Sequence, residues 1–413
     1  MKVLHLSYHE ISGGAAIAAN RIHNSLLKNK VDSFMLVKNK TSKSDKIITS
    51  KKIFDTFLDK LNLSFQRKLD KLNSSINESK ISKSYNLIPT FKIDIIKKIN
   101  PDIVNLHWIG NNFINLKEIS KIQKPIVWTL HDMWPYCGSE HYSFENRYIE
   151  GYTDLNLKKN NKFISFDFDK MVWSNKKKYL TNKINFVTTS TWQENNLKKS
   201  FLFKNNKQKK IFYPINHEIW NKIDKTESRK KLNLPLNKKI LLFISERIDN
   251  PIKGFDLIKR ILNDKNFQDY YLVVLGRKNK EKFQNINIEY RFFDKIDNDI
   301  DFLLAVYSSA DLLMAPSSLE SFGIVAQEAA SCNLPSVAFS ETGFEDTISH
   351  LKSGYLAKIN NIEDFKTGIK WCLDSHNFDT ISTSAREIIK NKFNEDSIAI
   401  EYINFYKEII NNL

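Results

Sequence analysis

The chain has 413 residues, 41% hydrophobic and 12% aromatic, with a formal net charge of +16. That apolar content is ample for globular cores and excludes a disordered chain, and the length favours two domains over one. There is no run of about 18 apolar residues and no signal-peptide pattern at the N-terminus. Cys137, Cys332 and Cys372 lack paired spacing, so the expectation is a reduced, cytoplasmic protein.

The stretch 2–9, KVLHLSYH, reads as a short buried strand, followed at 12–28 by a Gly-Gly turn and an Ala-rich helix. Further strands are read in 31–39, 99–110, 124–134 and 184–193, and strands alternating with helices imply a parallel sheet. A second series begins at 238–248, with a helix in 253–264 and a strand in 270–279. A helix in 300–310, a strand in 311–318, a helix in 322–333 and a strand in 335–341 follow. The proline-bearing, charged connection 213–239 places the boundary near 216. A final helix over 394–411 is amphipathic through Ile398, Ile400, Tyr402, Phe405, Tyr406 and Ile409. Between 51 and 72, Phe and Leu recur at three- and four-residue steps with lysines on the other faces. Such a basic amphipathic helix either lies on an anionic membrane or packs on its own domain.

The positive charge is open to several readings: nucleic acid, an anionic membrane, anionic substrates, or a general lysine bias. No ribonucleoprotein motif, zinc-finger spacing or basic zipper occurs, so no nucleic-acid partner is expected.

The densest chemistry lies in SSLESFGIVAQEAA, 317–330. A helix starting near Ser321 after a strand would turn the N–H groups of Phe322, Gly323 and Ile324 into the space where open α/β sheets bind ligands. Those amides and the helix dipole suit a phosphate, and Gly323 removes a side chain where an anion must approach closely. Glu328, about a turn further in, can accept two hydrogen bonds from a vicinal diol such as a ribose, and Glu320 can accept from another hydroxyl. Diol, diphosphate and sugar in a row describe a nucleotide-sugar. On spacing alone, the two glutamates are as readily a helix-favouring carboxylate and a loop carboxylate.

The run SSLESFGIVAQEAASCNLPSVA, 317–338, resembles the donor-binding motif of glycosyltransferase family 4, retaining enzymes of the GT-B fold, through Glu320, Phe322, Gly323, Glu328, Ala329 and Pro335. SERIDNPIKGFDLI, 245–258, is similar to the family's basic pair, carried here by Arg247 and Lys253. Gly13 and Gly14 match its glycine-rich turn. His131, in TLHD after a strand, matches the histidine that contacts the donor sugar, and His107 ends a neighbouring strand. PIVWTLHDMWPYCGSEHY, 125–142, resembles a subgroup that builds exopolysaccharide, including colanic-acid-type polymers. That subgroup often carries several cysteines in this region; here Glu140 and Tyr152 stand in such places. Trp134, Tyr136 and Tyr142 are open to two readings, a sugar-facing wall or core.

The resemblance implies two Rossmann-like domains facing a central cleft, with the last helix crossing back to the first. The first domain, 1–215 with 394–413, would take the acceptor, and the second, 216–393, the donor. It implies retaining transfer of a hexose from a nucleoside-diphosphate sugar, UDP by default, to a saccharide or lipid-linked acceptor in bacterial surface polysaccharide synthesis. His131, Glu320, Arg247 and Lys253 would be catalytic. Gly13, Gly14, Ser321, Phe322, Gly323, Ile324, Glu328 and His107 would bind substrate, with no metal and no other cofactor. Alternatives are a GT-B sugar-nucleotide epimerase, a donor-binding subunit without turnover, or a basic nucleic-acid- or membrane-binding protein. The peripheral membrane contact expected of 51–72 would place the chain on the inner face of the plasma membrane.

Overall fold

The computed structural model describes residues 1–49, 64, 68–69, 81–157, 166–180, 183–277, 280–284, 286–294 and 299–412. The chain divides into two compact units, Met1–Pro214 with Asp396–Leu413, and Ile215–Glu395. The amphipathic stretch 51–72 lies outside the described residues apart from Ser64, Lys68 and Leu69, of which Leu69 is buried in the first unit's core. No helix among the described residues is long and apolar enough to cross a membrane.

The first unit is built on seven parallel strands: β1 (Lys2–His9), β2 (Asp32–Asn39), β3 (Ile47–Thr49), β4 (Ile103–Leu106), β5 (Ile126–Thr129), β6 (Ile184–Thr188) and β7 (Gln208–Lys210). They lie in the order β3-β2-β1-β4-β5-β6-β7. The second unit has β8 (Ile240–Arg247), β9 (Tyr271–Arg277), β10 (Tyr290–Phe293), β11 (Leu312–Ala315), β12 (Ser336–Phe339) and β13 (Gly354–Ala357), ordered β10-β9-β8-β11-β12-β13 and again parallel. Every residue of β4, β5, β11 and β12 is buried, because helices cover both sheet faces; such strands read as continuous apolar runs rather than alternating ones. Strand order reverses beside β1 and beside β8. These switch points are where doubly wound sheets leave a crevice at the carboxyl ends of their strands.

β1 leads through Gly13, at φ 83, into helix α1 (Gly14–Lys28). β8 leads through a short turn over Pro251–Lys253 and Gly254, at φ 75, into helix α2 (Phe255–Leu262). The final helix, Glu395–Asn411, buries Ile398, Tyr402, Phe405, Tyr406 and Ile409, and all of it from Asp396 onward belongs to the first unit. There the amide of buried Asn105 on β4 donates to Tyr406 Oη at 2.6 Å. Ile400, expected on the same face, is exposed. It lies two positions from Ile398 and Tyr402, on the far side of a 3.6-residue turn.

Gly254 has no room for a side chain: a Cβ there would sit 2.3 Å from the carbonyl oxygen of Pro316. Together with its left-handed backbone, this makes Gly254→Ala expected to destabilise the protein by about 2 kcal/mol. A lowered midpoint in urea unfolding of the full chain would register it, and an unchanged midpoint would contradict the packing.

Candidate functional site

In the second unit three loops converge beyond the ends of β8, β11 and β12. Ser318 N–H donates to the Ile252 carbonyl at 2.9 Å, and Gly343 N–H donates to the Glu320 carbonyl at 2.8 Å. A Cβ on Gly343 would lie 2.4 Å from the Ser321 carbonyl, so the third loop can approach only as glycine. This packing brings Lys253 and Glu320 together, with Nζ 2.6 Å from Oε2. Both side chains are partly buried. A partly exposed pair of this kind contributes about 1 kcal/mol or less, so the bridge's main effect is to fix where the ammonium stands.

Helix α3 (Ile300–Ser309) precedes β11, and helix α4 (Ile324–Ser331) follows it. α4 begins at Ile324 rather than near Ser321, because Gly323, at φ 91 and ψ 53, is its left-handed N-cap. The first intrahelical acceptor is the Gly323 carbonyl, bonded by Ala326 and Gln327. The N–H groups of Gly323, Ile324 and Val325 therefore lead the helix without intrahelical acceptors. No acidic residue occupies its first turn, which leaves the positive end of the helix dipole uncompensated there. Glu328 is buried, and Tyr307 Oη on α3 donates to its Oε2 at 2.7 Å, fixing the carboxylate's orientation. Burial, and then the Glu328 carboxylate, push the Cys332 thiol up to about 12.

The Phe322 ring is buried edge-on against Phe393, 5.6 Å between centroids, so it anchors the loop to the core. The side chain of Ser321 is likewise buried. Arg247 stands at the end of β8, exposed, with Nε and Nη2 each 3.4 Å from an Asp249 carboxylate oxygen.

In the first unit, Gly13 and Gly14 form the turn into α1, whose first turn also lacks an acidic residue. His131 stands just beyond β5, partly buried. Its Nε2 lies 2.9 Å from His107 Nδ1 and its Nδ1 lies 2.5 Å from Tyr213 Oη. His107 is buried with both ring nitrogens engaged, the second with His5 Nδ1 at 2.8 Å. Asp132 does not orient His131; its carboxylate accepts from His141 Nδ1 at 2.6 Å and from Trp134 N–H at 2.9 Å. Trp134 and Tyr136 are core, and Tyr142 packs against it.

Where the resembling subgroup carries cysteines, this chain builds a polar knot. Tyr152 donates to Glu140 and accepts from Gly138 N–H at 2.9 Å. The buried Lys176 ammonium donates to the carbonyls of Trp134, of Cys137 at 3.0 Å and of Gly138 at 2.6 Å. His5, Tyr213, Tyr307 and Lys176 escaped the sequence reading. A histidine or lysine inside an apolar or helical run was the one available signal.

Residues 224–394 match the family model described as "Glycosyl transferases group 1". Over 223 residues the chain is 26% identical to N-acetyl-alpha-D-glucosaminyl L-malate synthase of Bacillus anthracis, an alignment covering 51% of this chain and 56% of that protein. The match thus spans little more than half of the synthase. HepE of Anabaena, solved in complex with UDP-glucose, is similar in structure, with a TM-score of 0.62 at 14% identity over 100% of both chains. WaaG, described as a glycosyltransferase involved in lipopolysaccharide biosynthesis, gives a TM-score of 0.66 at 14% identity over 98% of this chain and 99% of its own. Likenesses at this identity show the fold, which is GT-B.

The buried histidines set a pH dependence. Burial lowers His23 and His131 to about 4, against the opposing pull of Glu10 and Asp132 respectively. Burial also holds His5 and His107 well below the ordinary range. The unfolded chain therefore binds protons below about pH 6.5 that the folded chain does not, and stability falls with pH. At about pH 5.5, His23 and His131 are each expected to have cost about 1 kcal/mol relative to neutral pH. Thermal unfolding across that range reads the effect; a midpoint unchanged by acidification in this window would contradict it.

Proposed function

We propose that the chain, whose residues 224–394 match the glycosyl transferases group 1 model, is a retaining glycosyltransferase. In this reading it moves a hexose from a nucleoside-diphosphate sugar, with UDP as the default, to a saccharide or lipid-linked acceptor in bacterial surface polysaccharide synthesis. The observation that carries the proposal is the Lys253 ammonium held by Glu320 at 2.6 Å, in the loop that leads into the Gly323-capped helix. An ammonium together with helix-leading amides that lack intrahelical acceptors suits an anion, and Glu328 further along α4 would supply an acceptor for ribose hydroxyls. The UDP-glucose complex of HepE and the lipopolysaccharide role of WaaG agree with this choice of donor and product class.

Chemically, the hard part of transfer is the charge gathering on the departing diphosphate. Lys253, Arg247 and the leading amides of α4 would meet that charge as it develops, which is where preorganised donors lower a barrier most. The acceptor hydroxyl would attack from the face the diphosphate leaves, through an oxocarbenium-like transition state, and the leaving phosphate would take its proton. No protein nucleophile and no metal enter this scheme, so turnover is expected to persist in a chelator.

Three variants test the assignment. Lys253→Ala should lower kcat by about a hundredfold or more with UDP-sugar; unaltered turnover would remove Lys253 from the site. Glu328→Gln, which leaves Tyr307 an acceptor, and Glu328→Ala should each weaken UDP binding by about tenfold or more. Equal stabilisation of both variants and the parent by UDP in thermal unfolding would rule out the ribose contact.

A further inference from the structure

Tyr213 Oη, His131, His107 and His5 are linked by three successive hydrogen bonds of 2.5, 2.9 and 2.8 Å. The three imidazoles follow one another at centroid spacings of 5.1 and 5.2 Å, tilted by 31° and 32°. A neutral imidazole has one N–H and one lone pair, so each ring in such a row donates on one side and accepts on the other. Burial disfavours the charged form at all three rings. Two self-consistent arrangements remain, with every ring N–H directed outward to Tyr213 or every one directed inward to His5.

The ends of the row decide between them. In the outward arrangement His131 Nδ1–H donates to Tyr213 Oη, whose own proton goes to the Leu130 carbonyl at 3.3 Å. Every donor then has an acceptor, and the unmatched atom is the lone pair of His5 Nε2, which is buried without a partner among the described residues. In the inward arrangement that same atom is a buried N–H lacking an acceptor among the described residues, and the bond from Tyr213 to Leu130 is lost. An orphaned buried donor bears the full cost of desolvation, so the outward arrangement prevails.

We propose that Tyr213, His107 and His5 are positioning residues that lock His131 in its Nδ1–H tautomer, with Nε2 committed as acceptor to His107. His131 therefore shows a bound ligand a fixed, uncharged ring edge and offers no nitrogen as a proton acceptor. Asp132 does not compete for the ring, because its carboxylate accepts from His141 and Trp134. The proposal rests on the transferase reading only for the ligand that faces the ring.

The test is long-range 1H–15N correlation NMR of the full chain labelled at histidine, at neutral pH. In the parent protein His131, His107 and His5 are all expected as Nδ1–H tautomers, and an Nε2–H signature at any of them overturns the assignment. Tyr213→Phe removes the terminal oxygen and with it the preference for the outward arrangement. All three rings should then move toward the Nε2–H tautomer by the same fraction, including His5, two rings from the change. Unchanged tautomers, or a shift at His131 that leaves His5 unmoved, overturn the lock. Expected tautomers in a protein that turns over no UDP-sugar would count against the transferase reading alone.

Discussion

The constraint on which the second unit's site depends is how closely three loop backbones approach one another at the carboxyl ends of β8, β11 and β12. Gly254 presses on the Pro316 carbonyl, Gly343 on the Ser321 carbonyl, and Gly323 would carry any Cβ into the Phe344 ring. Side chains at these points would push the loops apart, and the Lys253–Glu320 bridge would lose its geometry. The bridge itself is weak, as partly exposed pairs are. Its position is set by packing, so the ammonium need not spend conformational entropy when an anion arrives.

The first unit solves a different problem, that of keeping polar groups inside an apolar sheet. His5 on β1 pairs with Asn105, not His107, and Asn105 with Val127, so each histidine in the row stands two residues further along than the one before. A step of two keeps the side chains on one face of the sheet. Hydrogen bonding along the row satisfies most of the nitrogens that burial would otherwise penalise. The knot around Lys176 follows the same rule, with three backbone carbonyls gathered on one ammonium.

Much of the architecture was legible because both sheets are covered on both faces. Strands such as LLMA, and IVWT but for its final threonine, are apolar runs that read as buried strands. β7 was not legible: its sequence, QKK, is polar and only partly buried, so no hydrophobic pattern marks it. The start of α4 was misjudged because Ser321 and Phe322 look like a cap and first turn, whereas the left-handed backbone of Gly323 delays the helix to Ile324. The residue types at Glu320, Gly323, Glu328 and Lys253 could be singled out from motif and turn chemistry. Their partners could not. Tyr307 reaches Glu328 from a helix 21 positions earlier in the chain, and the His5–His107 contact spans 102 positions, separations at which local pattern carries no information.

The discontinuity of the first unit bears on how the protein is made. Its sheet is encoded before residue 214, but Tyr402, Phe405 and Tyr406 from the last helix belong to that unit. As the polypeptide leaves the ribosome, Asn105 must wait for Tyr406 while the whole second unit is synthesised in between. The earlier-made half thus spends that interval with an apolar face uncovered, a state exposed to chaperones and proteases. The later-made half has its sheet complete in one continuous stretch and can mature first.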